Sequence, residues 1–124
     1  MKKLLIIFLI MLAGCSMLRE SDRGKVHHVV LCWLKDSGNV TQRSRIIEVS
    51  RSFKEIPGVL DVRAGEVLES DRKIVDDGFD VAITLSFSDT QSLNEYLAHP
   101  IHQKAKNEVL LPIIKKIVVY DFIE

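Results

Sequence analysis

The chain has 124 residues, with 17 Lys and Arg against 17 Asp and Glu, 47% hydrophobic residues and two Cys. That length holds one domain and a short appendage, and the charge balance excludes a strongly basic nucleic-acid binder. A charged fraction of 27% beside so large an apolar share excludes general disorder, and two Cys are too few for a disulfide scaffold.

In chain order, Met1-Lys2-Lys3 is followed by ten apolar residues, 4–13, and then by Gly14-Cys15. A basic start, a short apolar run and small residues before a cut site predict a secretory signal peptide. As a helix the run would rise about 15 Å, half of a ~30 Å hydrocarbon core, too little for a permanent span. Leu12-Ala13-Gly14-Cys15 resembles the lipobox of bacterial lipoproteins, in which the Cys thiol takes a diacylglyceryl group and the chain is cut before it. Residues 1–14 are thus expected to be a leader, 15–25 a lipidated Cys with a polar tether, and 26–124 the folded domain. Acyl chains on Cys15 would anchor the domain in the bacterial cell envelope. Ser16, rather than Asp, after the Cys favours the outer membrane, facing the periplasm, in a Gram-negative cell. Without Lys2 and Lys3, 15 basic residues face 17 acidic ones, a net charge of −2. Cys32 is then the only other thiol, which removes any intramolecular disulfide and reads as a small buried residue.

Residues 26–34 (VHHVVLCWL) are β-branched and apolar, with His28, Val30, Cys32 and Leu34 on one face and Val29, Leu31 and Trp33 on the other. Two apolar faces predict a central or interface strand. Ile46, Ile47, Val49 and Phe53 fall at helical spacing over residues 41–55, and Pro57-Gly58 stops the helix. Residues 59–68 read as a strand, and 70–78 as a polar loop with an Ile74-Val75 contact. Residues 79–87 alternate, with Phe79, Val81, Ile83, Leu85 and Phe87 inward and Asp80, Ala82, Thr84 and Ser86 outward. Ser88, three residues before Gln91, predicts a capping box for a helix through Ala98 with Leu93, Tyr96 and Leu97 buried. Pro100 breaks that helix and starts another through Ile101, Ala105 and Val109, which Pro112 ends. Residues 116–122 form a last strand. The order βαββαβ is α+β and ferredoxin-like, with a four-stranded antiparallel sheet and helices on one side. Covering its open face predicts a homodimer.

Val26-His27-His28-Val29-Val30, Ile56-Pro57-Gly58-Val59, the stretch Asn94-Glu95-Tyr96-Leu97-Ala98-His99-Pro100-Ile101-His102 and the closing Val118-Val119-Tyr120-Asp121-Phe122 resemble the stress-responsive α/β-barrel (Dabb) family. The resemblance implies a dimeric α/β barrel built from two ferredoxin-like subunits with their sheets face to face. It also implies a pocket between sheet and helices where, in plant polyketide cyclases, a Tyr and a His carry an aldol-type cyclisation. Those two fall on Tyr96 and His102; a first-strand His lining the pocket falls on His28, and a further pocket His falls on Val81. His99 is also expected at the pocket.

Histidine is the natural acid–base group near neutral pH, and a Tyr can hold a developing enolate by hydrogen bonding. Two functions of different class are open. One is a membrane-tethered dimeric domain that binds a small apolar or carbonyl ligand, or acts structurally, without turnover. The other is a cofactor-free lyase or cyclase with His102 as base and Tyr96 as its partner, which requires an open cavity where the two converge. Neither reading includes a cofactor or nucleic acid. A metal site is not expected, because His27 and His28 point to opposite faces of their strand.

Overall fold

The computed structural model describes residues 24–124; the expected leader, Cys15 and the tether as far as residue 23 lie outside the described residues. The elements run β1 (Val26–Leu34), α1 (Val40–Arg51) with a 3-10 turn (Ser52–Glu55), β2 (Val59–Glu66), β3 (Val81–Phe87), α2 (Thr90–Ala98) and α3 (Pro100–Ala105). A π turn (Lys106–Leu110) and one last helical turn (Leu111–Ile113) then lead into β4 (Ile114–Ile123). The sheet has the order β2-β3-β1-β4 and every pairing is antiparallel. This is the expected ferredoxin-like α+β fold. No helix among the described residues is long and apolar enough to cross a membrane.

β1 is central, as its two apolar faces predict. Its inward set, Val26, His28, Val30, Cys32 and Leu34, is buried beneath the helices, together with Val81, Ile83, Leu85 and Phe87 of β3. From the helical layer Ile46, Phe53, Leu93, Tyr96, Ala105 and Leu110 complete this core. The opposite sheet face carries no helix: His27, Val29, Leu31 and Trp33 are only half-buried there, and Tyr120 and Phe122 of β4 are exposed. Cys32 has no exposed surface, and burial, helped by the nearby Asp80 carboxylate, pushes its thiol up to about 11.

Several local expectations need correction. β3 begins at Val81, and Asp80, expected on the solvent face, is buried with 1% of its surface exposed. Its Oδ2 accepts the Leu34 N–H at 2.9 Å, and its Oδ1 accepts the Gly38 N–H at 2.8 Å and the Arg43 guanidinium at 2.8 Å. One carboxylate thereby ties the end of β1, the turn after it and α1 to the start of β3. The α2 cap is Asp89, not Ser88: its carboxylate accepts the Ser92 N–H at 2.7 Å, because it sits three residues before the amide that needs a partner. Ile74, expected to make a contact within the loop, is instead 91% exposed. Past Pro100, Ile101 is exposed; downstream of Ala105, Leu110 rather than Val109 is buried, because the π turn inserts an extra residue and rotates the stripe. Gly58 holds φ +89° and a Cβ there would stand 3.2 Å from the Cβ of Ser92, so the Pro-Gly stop also sets how closely α2 approaches the chain.

Burial disfavours the Asp80 charge, but the Leu34 and Gly38 amides and Arg43 outweigh it and hold the carboxyl below its ordinary range. Asp80→Ala should cost about 3–5 kcal/mol in urea unfolding, by leaving two amides and a guanidinium unpaired. Because the folded-state pKa is lowered, the stabilisation is present above the unfolded value of about 3.9 and is lost as pH falls through the folded one. Acid unfolding of the Asp80→Ala protein should lack that component.

Candidate functional site

The inward pleat of β1 places His28 opposite Asp121 of β4, and His28 Nδ1 lies 2.5 Å from Asp121 Oδ1. An ionised carboxylate only accepts, so Nδ1 carries the proton in this pair. His28 is 5% exposed, whereas the Asp121 side chain is about half exposed. Asp121 is the residue that sequence reading missed as a site member. Its partnership depends on the β1–β4 register, and the only local signal is its place on the inward alternation of the last strand.

α2 supplies Tyr96, buried to 2% and packed edge-on or tilted against Phe53, Phe87, His28 and His102. The Tyr96 and His102 ring centroids are 4.5 Å apart, so the structure brings together the two residues the sequence paired. Pro100 is the cause of the His102 orientation. With the helix interrupted, the Ile101 N–H turns to His99 Nδ1 at 3.2 Å, and the Leu97 carbonyl is left without a backbone donor. His102 Nδ1–H donates to that carbonyl at 3.0 Å, and the Gln103 side-chain amide donates to it at 2.6 Å. Since a carbonyl can only accept, His102 keeps its proton on Nδ1 and leaves Nε2 as a free acceptor. His99, expected to line the pocket, does not: its ring is spent capping α3.

Burial lowers the His102 pKa, the Leu97 carbonyl opposes that, and the charges of Lys106 and His28 add to the lowering. The ring is therefore neutral at pH 7. Burial pushes the Tyr96 phenol far above its usual range, so it remains a hydroxyl and a hydrogen-bond donor.

These side chains border a cavity of about 270 Å³ between the sheet and the helical layer. Val30, Ile83, Leu85, Leu110, Ile117 and Val119 make its walls, while His28, Tyr96, His102, Gln103 and Lys106 are its polar members. The volume is at the small end of ligand pockets, which run roughly 300–1,000 Å³. It opens beside β4, where Ile117 and Val119 are 36% and 44% exposed. No group of three His, Cys, Asp or Glu side chains able to hold a metal ion occurs among the described residues.

Fold and site together define a ferredoxin-like α+β domain with a largely apolar pocket that two histidines and a tyrosine help to line. Residues 26–124 match the stress responsive A/B barrel domain, Dabb, and the chain belongs to that family. No curated protein matches the chain. A hydroxynitrile lyase from Passiflora edulis superposes with a TM-score of 0.71 at 23% identity, over 82% of this chain and 94% of that one. A Dabb family protein with a ferredoxin-like fold from Mesorhizobium loti gives 0.67 at 19% identity, over 82% and 98%. A dimeric ferredoxin-like protein of unknown function from Thermobifida fusca gives 0.65 at 19% identity, over 81% and 91%. At these identities the likeness is one of fold.

In an NMR pH titration His102 should titrate below the free imidazole value of about 6.5. Its ¹⁵N shifts at pH 7 should show the proton on Nδ1. A ring that titrates at or above the free value would contradict this geometry.

Proposed function

We propose that the chain is a lipid-anchored, stress-responsive protein of the bacterial envelope. On this reading its Dabb domain works as a homodimer and binds a small, mostly apolar compound bearing a carbonyl or hydroxyl. The observation that carries the binding role is the cavity itself. Protein interiors close over apolar space, yet here about 270 Å³ stays open, with the neighbouring rings of His28, Tyr96 and His102 among its lining. The lipobox-like Leu12-Ala13-Gly14-Cys15 supports the anchor, with Cys15 as the lipidated residue and the outer membrane, facing the periplasm, as its place in a Gram-negative cell. The helix-free sheet face with its exposed Tyr120 and Phe122 supports the dimer, as do the relatives described as dimeric. Native mass spectrometry should show a dimer, and a monomer would refute that part.

A second reading, a cofactor-free lyase or cyclase, is favoured by one specific observation: His102 presents an unprotonated Nε2 beside the Tyr96 phenol. In that case His102 would take a proton from the carbon next to a carbonyl, and Tyr96 would donate a hydrogen bond to the oxygen as negative charge builds there. A hydroxynitrile lyase shares the fold, so the architecture is compatible with a lyase site.

Hexan-2-one titrated into the protein should shift the NMR signals of the His102 and Tyr96 rings. Val119→Trp, which sets an indole at the pocket edge, should weaken that binding about tenfold, or roughly 1.4 kcal/mol. Unmoved rings would sink the ligand reading. In D₂O, the enzyme reading expects the α-protons of the bound ketone to exchange faster than in buffer, with His102→Gln slowing exchange by about 10²–10⁴-fold. Exchange no faster than buffer leaves binding alone.

A further inference from the structure

The charges around the pocket specify its ligand more narrowly than its shape does. Lys106 is the one permanently charged side chain among the lining residues, and no carboxylate is among them. Lys106 is half-buried in the π turn, and no salt bridge engages it among the described residues. It lies four residues beyond His102, so the two side chains stand on one face of the helical segment and border the same cavity. Gln103, also at this end, commits one N–H of its amide to the Leu97 carbonyl, and Lys106 is the one cationic donor there without a salt-bridge partner among the described residues.

From the unpaired Lys106 ammonium on the wall of an apolar cavity, we propose that the preferred ligand is an amphipathic carboxylate. Its apolar body would lie against Val30, Leu85 and Val119, and its anionic end would pair with Lys106. This rests on the pocket being a ligand site, and it adds the chemical class. A charge-assisted hydrogen bond is roughly twice as strong as a neutral one, and an apolar ligand body that excludes water from the pocket strengthens it further. Lys106 lies close enough to His102 for its charge to be one of the causes that lower the His102 pKa. A carboxylate at Lys106 would offset that repulsion and ease protonation of His102, so the ligand's anionic end would also tune the neighbouring base.

The test uses the full chain in lipid nanodiscs, with histidine ring labels and two probes of equal length, hexanoate and hexan-2-one. Binding is read at His102, so partition of either probe into lipid does not count. The expected result is tighter binding of hexanoate, by about tenfold. In Lys106→Gln the ratio of the two affinities should fall to about one, and in Lys106→Arg it should persist. Equal affinities in the unsubstituted protein, or a hexanoate preference that survives Lys106→Gln, would overturn the carboxylate assignment while the pocket remained. If neither probe moves His102, the pocket reading fails and this inference fails with it.

Discussion

The packing of the Tyr96 ring is the contact on which the rest of the molecule closes. It is the point where α2 meets the sheet at Phe87 and His28, the 3-10 turn at Phe53, and α3 at His102. Burying a large aromatic among such neighbours is worth on the order of 3–5 kcal/mol, a large share of the net stability of a small domain. The same ring brings a hydroxyl to the cavity. Stability and site chemistry are therefore not separable at this position: the core holds the phenol where the pocket needs it, and the pocket exists because the core stops there.

The second organising element is a helix that fails to continue. Pro100 has no N–H and pushes His99 out of the helical region, with the observed ψ of His99 at 138°. The freed Leu97 carbonyl then becomes a fixed acceptor that sets the tautomer of His102 and holds Gln103 beside it. A backbone defect thus does the work that a carboxylate does for His28, where Asp121 supplies the acceptor. The two histidines on either side of Tyr96 are both anchored through Nδ1, one by a side chain and one by the main chain.

Much of this was legible in the sequence because it depends on local period and punctuation. The alternation from Val81 to Phe87, the stop at Pro57-Gly58 and the break at Pro100 each act within a few residues, and they place Tyr96 and His102 close together along the chain. The parts that were not legible depend on long-range pairing or on a count of residues per turn. Asp80 looks like the outward member of an alternating strand, yet it is drawn inward by amides and an arginine from 37 to 46 residues away. Asp121 gains its role from a strand partner 93 residues earlier. His99 shares the same stretch as His102 but was misplaced, because which of two nearby rings caps a helix and which faces the cavity is decided by the direction the chain takes after Pro100.

The π turn at Lys106–Leu110 has a bearing on how such a pocket could change over time. A π turn is an α-helix that has gained a residue, and each residue turns an α-helix by about 100°. Loss of one residue in this segment would restore ordinary helical spacing and rotate the downstream residues by that angle. The wall residue Leu110 would move off the cavity while His102, fixed upstream by Leu97, stayed in place. The acid–base end and the wall that selects the ligand are thus set by different parts of one helical segment. The wall can be re-cut by a single deletion or insertion, without any substitution at the histidines or at Tyr96.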